Sequence, residues 1–283
     1  MDKISIIVCA HKQDPCTRNS GIYKAVQVGK ALHPELDLGY LCDNSGENIS
    51  DKNPNWCELT GLYWAWKNLP KSEYVGLCHY RRYFDLDITA ENIDSLMRGI
   101  DLLTIDNGTM LSKRERAQNL MMMTSQEDFY LFADIFLTKH PECKKGFVDY
   151  FFNSRRSFPF QMFVMKWELF DEYCQFVFPV LFEFEQIAKE HGYTRQKRTT
   201  GYIGEWFLGL FIYCKMLKTR QVPLYKTDDS VHSFSLKYRV SRKLQQILYD
   251  LVGLVSRKKT DVSVPPAVLV GLRADGIELH SLK

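Results

Sequence analysis

Residues 4–10, ISIIVCA, form a short apolar run rich in β-branched side chains, the pattern of a strand buried on both faces. Similar runs fall at 37–46, 74–78 and 100–105, the first of these ending in the turn-forming sequence Asp43-Asn44-Ser45-Gly46. Between them the period becomes helical. YKAVQVGKAL (23–32) has helical spacing. Leu59, Leu62, Tyr63 and Trp66 share one face of a helix expected over 54–68, with Asn53 as its cap, Pro54 in its first turn and Pro70 ending it. Strand and helix thus alternate through about the first 105 residues, which predicts crossover connections and a mostly parallel sheet flanked by helices.

The second half reads as more helical. Ser125 is placed to cap a helix over 125–140, with Glu127 and Asp128 in its first turn. A strand is expected at 160–166, followed by a long helix that Pro179 should kink or split. Residues 202–217 are apolar nearly all round, hence a buried helix, and 221–226 read as a late strand. From 236 to 259 the apolar residues Leu236, Val240, Leu244, Ile247, Leu251 and Leu254 keep a helical period. Lys237, Arg239, Arg242, Lys243, Arg257, Lys258 and Lys259 are opposed there only by Asp250. The expected organisation is a domain over 1–235 and a basic amphipathic appendage over 236–283. Such an appendage fits an anionic membrane surface, or a helix packed on the domain with its basic face in water.

Composition adds exclusions. At 283 residues, 45% hydrophobic and 25% charged, the chain suits one large domain with an appendage. A net charge of +3 is too small to point to nucleic acid as a partner. The eight cysteines include no C-x-x-C pair, so neither a zinc site nor a disulfide framework is expected and a reducing, cytoplasmic compartment is. The first apolar run, about seven residues, is too short for a signal peptide, and no stretch reaches the roughly 18 apolar residues of a membrane span.

Candidate chemistry sits where the strands end. Open parallel sheets bind ligands beyond their carboxyl ends. Those ends are Ala10-His11-Lys12, Asp43-Asn44-Ser45 and His79-Tyr80-Arg81-Arg82. Two arginines and a histidine at the mouth of a buried strand need a counter-charge, either internal carboxylates or an anionic ligand. Asp85 and Asp87 have Asp-x-Asp spacing that could hold Mg²⁺ or Mn²⁺, although they lie past the strand end, where such pairs are common on surface turns. Glu205 is the one carboxylate inside an otherwise apolar helix. It reads as a general base, or as a structural partner for Arg81, Arg82 or Arg198.

The stretch NISDKNPNWCELTGLYWAWKN followed by YVGLCHYRRYF resembles a bacterial family found among capsular and exopolysaccharide genes. That family was long catalogued as a domain of unknown function; its members are regarded as glycosyltransferases, some transferring galactofuranose. The resemblance extends more loosely through FQMFVMKWELFDEYCQFVF and TGYIGEWFLGLF, covering about residues 3–226. It implies a GT-A-like α/β fold, a nucleotide-sugar donor (UDP being the expected nucleotide) and a lipid-linked glycan acceptor at the inner face of the plasma membrane. On that basis Arg81, Arg82 and His79 would stabilise the leaving diphosphate with no metal required, and Glu205 would deprotonate the acceptor. Ala10, His11, Lys12, Asp43, Asn44, Ser45 and Tyr80 would hold the nucleotide sugar, and Trp64, Gln161 and Met162 would face the acceptor. Rival expectations are a nucleotidyl- or phosphotransferase on a similar sheet, and a non-catalytic carbohydrate-binding or assembly protein.

Overall fold

The structure is a computed structural model that describes residues 1–106, 124–191, 198–227 and 258–282, together with positions 240, 244, 247, 248 and 251. Its strands are β1 (Asp2–Ala10), β2 (Tyr23–Gln27), β3 (Leu41–Cys42), β4 (Ser72–His79), β5 (Arg82–Phe84), β6 (Leu102–Asp106), β7 (Phe163–Lys166) and β8 (Thr219–Lys226). Its helices are α1 (Asn53–Trp56), α2 (Leu59–Asn68), α3 (Ile93–Leu96), α4 (Gln126–Lys139), α5 (Lys144–Val148), α6 (Trp167–Glu190), α7 (Thr199–Gly204), α8 (Phe207–Lys215) and α9 (Pro266–Ala274).

The expected parallel half is present: β3, β2, β1 and β4 lie side by side in that order, all parallel. β7 then pairs antiparallel with β4, β6 antiparallel with β7, and β8 parallel with β6. β5 turns back from β4 through the pair His79–Arg82 and runs antiparallel to β8. Strands β4, β7, β6, β8 and β5 therefore close on themselves beside the carboxyl end of β4.

The period-2 rule divides the core. From β1, Ile7 and Cys9 face the helical layer, while Ile4, Ile6 and Val8 face the opposite side with Tyr83, Phe84, Ile93 and Met97. The helical layer is rich in aromatics: Phe132 lies 5.4 Å from Trp206 and 5.5 Å from Phe207, ring to ring. Ser125 caps α4 as expected, in a reciprocal capping box with Asp128.

Several expectations need correction. Residues 23–32 are strand β2 and a 3-10 turn rather than a helix, because Ala25, Val26 and Gln27 complete the sheet beside β1. Helix propensity is a weak prior against such pairing. Of 37–46 only Leu41 and Cys42 are paired. The helix expected over 54–68 breaks at Cys57, whose φ is 53°. Asn53 makes no cap there; its Nδ2 donates instead to the Cys57 carbonyl at 2.8 Å and to Thr60 Oγ1 at 3.1 Å. Pro179 does not interrupt α6. It sits on the solvent side, as does Gln175 one turn earlier, so the carbonyl deprived of its donor faces water.

Much of 236–257 lies outside the described residues. The last stretch, expected as part of an appendage, returns to the body. Asn153 exchanges hydrogen bonds with the Lys259 backbone, and the buried Asp134 carboxylate accepts from the N–H groups of His280, Ser281 and Leu282. Val268, Leu272, Ile277 and Leu282 are buried against the helical layer.

Candidate active site

The carboxyl ends of β1 and β4 form the floor. Tyr80 N–H donates to the Cys9 carbonyl at 3.1 Å and so ties the two ends together. The His11 ring meets Tyr80 edge-on at 5.2 Å, and Lys12 Nζ and the Arg81 guanidinium lie 5.9 and 5.3 Å from the Tyr80 ring centre. Partial burial lowers the proton affinity of His11, and Lys12, Arg198 and Arg81 add to that. The exposed His11 and Lys12 and the half-buried Tyr80 therefore form an electropositive corner with an aromatic face, where sequence order expects the nucleotide.

Arg81 has a partner the sequence does not reveal. Its Nε donates to Asp14 Oδ2 at 2.7 Å, and Asp14 also accepts the Cys16 N–H at 2.9 Å. Arg18, in the same connection between β1 and β2, lies 4.3 Å over the Tyr83 ring and donates to Tyr23 Oη. Arg81, 39% exposed, thus braces that connection across the site. Asp14 is an internal carboxylate of the kind the sequence leaves open as a counter-charge for Arg81.

Arg82 faces inward. Its guanidinium lies 4.3 Å from the Phe160 ring, and its charge bears on His79, Glu58 and Glu205. His79 is not the cation expected of it. Its Nε2 sits 2.7 Å from the Phe160 carbonyl and must donate, while burial, helped by Arg82, pushes its pKa down to about 4. At neutral pH His79 is an uncharged fastening for the turn before β7.

Two acids complete the centre, and local chain geometry brings them together. The break at Cys57 places Glu58 at the start of α2. Gly201 and Gly204 let α7 approach closely: a Cβ on Gly201 would lie 3.0 Å from the Asn55 carbonyl, and one on Gly204 2.5 Å from Leu59. Asn55 Nδ2 donates to Thr200 Oγ1 at 3.0 Å and fastens the contact. Glu205 then falls at the break between α7 and α8, not inside the single helix expected over 202–217. Burial, with the negative charge of Glu58 adding to it, pushes the Glu205 pKa up to about 7; Arg82 and a backbone hydrogen bond from Phe160 oppose this. Burial likewise raises Glu58, against a hydrogen bond from Gln161 and the charges of Arg82 and Arg198. Both residues are half-buried overall.

The other expected site residues separate from this centre. Asp43 is fully buried and accepts from Gly29 N–H, Lys30 N–H and Ser50 Oγ, so its carboxylate braces a turn instead of meeting a nucleoside. Ala10 is buried and its carbonyl accepts from Val28 N–H. Ser45 is exposed but receives the Trp64 indole N–H, and Asn44 is exposed beside it. Trp64 and Met162 are core residues and offer no acceptor surface. Gln161 is buried too and reaches Glu58 rather than solvent. Asp85 and Asp87 are exposed, and no group of three or more metal-ligating side chains occurs among the described residues. Asp14, Phe160 and Glu58 are not among the candidates the sequence points to.

A base near neutrality, an inward arginine and an electropositive corner at strand ends can together deprotonate a hydroxyl and receive a departing anion. No curated protein matches the chain. A solved apo structure titled as the WbbM bifunctional glycosyltransferase matches with a TM-score of 0.68 at 24% identity, covering 81% of this chain and 46% of that one. This chain spans about half the length of that protein, and the likeness shows a GT-A-like α/β fold. Residues 5–216, about three quarters of the chain, match the family described as Domain of unknown function (DUF4422), and the chain belongs to that family.

Proposed function

We propose that the protein is a glycosyltransferase that moves a hexose, in pyranose or galactofuranose form, from a nucleotide-diphosphate donor to a lipid-linked glycan acceptor of capsule or exopolysaccharide assembly. The observation that carries this reading is the meeting of Glu205, Arg82 and the His11-Lys12-Tyr80 corner at the carboxyl ends of β1 and β4. In a single displacement the acceptor oxygen forms a bond to the anomeric carbon while the bond from that carbon to the diphosphate breaks. The acceptor proton passes to Glu205, and the nucleoside diphosphate leaves as an anion. Glu205, with a pKa of about 7, is largely ionised just above neutrality and still basic enough to take the proton. Arg82, with Arg198 and Lys12 nearer the rim, supplies positive charge to the leaving group.

The acceptor chemistry bears on where the protein works. No described helix is long and apolar enough to cross a membrane. Val240, Leu244, Ile247, Leu248 and Leu251 are helical, and each is 51–62% exposed. Their spacing puts them on one face, in a stretch whose sequence is strongly basic. An anionic cytoplasmic membrane surface fits both properties.

The test is transfer from a panel of nucleotide sugars to a synthetic lipid-linked acceptor, with and without excess chelator. Transfer is expected, and it should persist in chelator. Glu205→Gln should lose about 10²–10⁴ in kcat, and Arg82→Ala about 10²–10³, with melting still cooperative. Absence of both transfer and thermal shift with every donor refutes the reading, as does unchanged turnover in both variants.

A further inference from the structure

Five non-glycine residues among those described have left-handed φ, and four of them, Cys57, Phe160, Gln161 and Arg198, border Glu58 and Glu205. Each such conformation costs about 1–3 kcal/mol and persists only where neighbours impose it. Phe160 (64°) and Gln161 (50°) are consecutive, and their neighbours are identifiable. His79 Nε2–H holds the Phe160 carbonyl at 2.7 Å, and Arg82 covers the Phe160 ring at 4.3 Å. Tyr173 Oη donates to Gln161 Oε1 at 3.1 Å. Tyr173 is fully buried on α6 beside Phe163 and Phe211, and its burial keeps the phenol protonated.

Acceptance from Tyr173 fixes the orientation of the Gln161 amide. Its oxygen is taken, so its nitrogen is the end that faces Glu58, with Nε2 3.4 Å from Oε1. The preceding residue serves the other acid, since a backbone hydrogen bond from Phe160 reaches Glu205. One strained two-residue turn thus supports both carboxylates.

We propose that Gln161 and Glu58 are positioning residues for Glu205. Tyr173 fixes the Gln161 amide, the amide nitrogen faces Glu58, and the same turn reaches Glu205, so the two carboxylates are held on one support and the charge of one bears on the other. The proposal rests on the transferase reading of Glu205. The ionisable groups bearing on Glu205 are Glu58 from α2, Arg82 from β5 and Cys57 from the helix break. Those bearing on Glu58 are Arg82, Arg198, Cys9, Cys57 and Tyr173. Burial is the main cause of the raised Glu205, the Glu58 charge adds to it and Arg82 opposes it, so loss of the Glu58 charge has one sign: Glu205 becomes a weaker base.

The full chain should be compared with Glu58→Gln and Gln161→Met in two measurements: the pH profile of kcat/KM for transfer, and a carbon-13 NMR titration of the glutamate carboxyls. Glu205→Gln identifies the Glu205 signal. Removing the Glu58 charge should move the Glu205 titration, and the acid limb of activity, down by about one pH unit. Gln161→Met should move them the same way by less, because Glu58 without its donor ionises less readily. An unmoved Glu205 titration in Glu58→Gln overturns the proposal, whether or not that variant is active. A fall in kcat for Gln161→Met with the acid limb in place makes Gln161 merely structural, which also overturns it. If the wild-type chain transfers no sugar, the transferase reading fails by itself, and the titration still decides whether Glu58 governs Glu205.

Discussion

His79 makes a prediction about stability that is independent of any substrate. In the unfolded chain its imidazole titrates at about 6.5; in the folded chain burial and the Arg82 charge hold it to about 4, despite the hydrogen bond to the Phe160 carbonyl. Between these values the unfolded state binds more protons than the native state, so stability rises with pH across that window. The contribution is complete above 6.5 and is lost as pH falls toward 4. Integrating the two titrations from pH 8 down to pH 5 gives a loss of about 2 kcal/mol. Glu205 has the opposite sign: its raised folded pKa of about 7 gives stability that is present below 4.5 and lost as pH rises. A single pH series would mix the two, so the experiment is a difference. Urea unfolding of the wild type and of His79→Gln, which can still donate to Phe160, is measured at pH 8 and pH 5. The stability difference between the two proteins should change by about 2 kcal/mol in favour of the variant at pH 5. A difference that stays flat to within about 0.5 kcal/mol would show that His79 protonates as freely folded as unfolded, and the account of a neutral, fastened imidazole would fall.

Two further outcomes follow from other parts of the molecule. Gly209 lies against Tyr150 so closely that an added Cβ would sit 2.2 Å from the ring; Gly209→Ala should therefore cost about 1–3 kcal/mol in chemical unfolding, and an unchanged midpoint would contradict the packing of α8. The exposed apolar helical positions should bring the protein onto vesicles containing anionic lipid, less so as salt rises. Leu244→Asp with Leu248→Asp should abolish that sedimentation without changing the melting temperature, and equal binding to neutral vesicles would remove the case for an anionic surface.

The readable parts of the fold are those in which one stretch of chain settles its own environment. Strands β1, β4 and β6 show in the sequence as apolar runs because both faces of each are covered, and α4 announces itself through Ser125 and Asp128. The cationic strand end at 79–82 was legible for the same reason, as charge abutting a buried run. Its division of labour was not: Arg81 Nε meets Asp14, which is 67 residues away in sequence, and His79, kept neutral by burial, is fastened to a carbonyl 81 residues away. Residues 23–32 are ambiguous in the sequence because a helical period and a strand beside β1 are both open to them, and pairing with β1 decides the outcome.

The acid pair was hidden for a more specific reason. Its geometry rests on left-handed backbone at Cys57, Phe160, Gln161 and Arg198, residue types that carry no signal for that conformation, where a glycine would have announced it. At Phe160 and Gln161 those angles are met by His79 of β4, Arg82 of β5 and Tyr173 of α6, and at Cys57 by Asn53, whose Nδ2 donates to the Cys57 carbonyl. A glycine at any of the four positions would relieve that strain. Its concentration around two carboxylates, and around one inward arginine, is what ties the strain to chemistry rather than to chain routing.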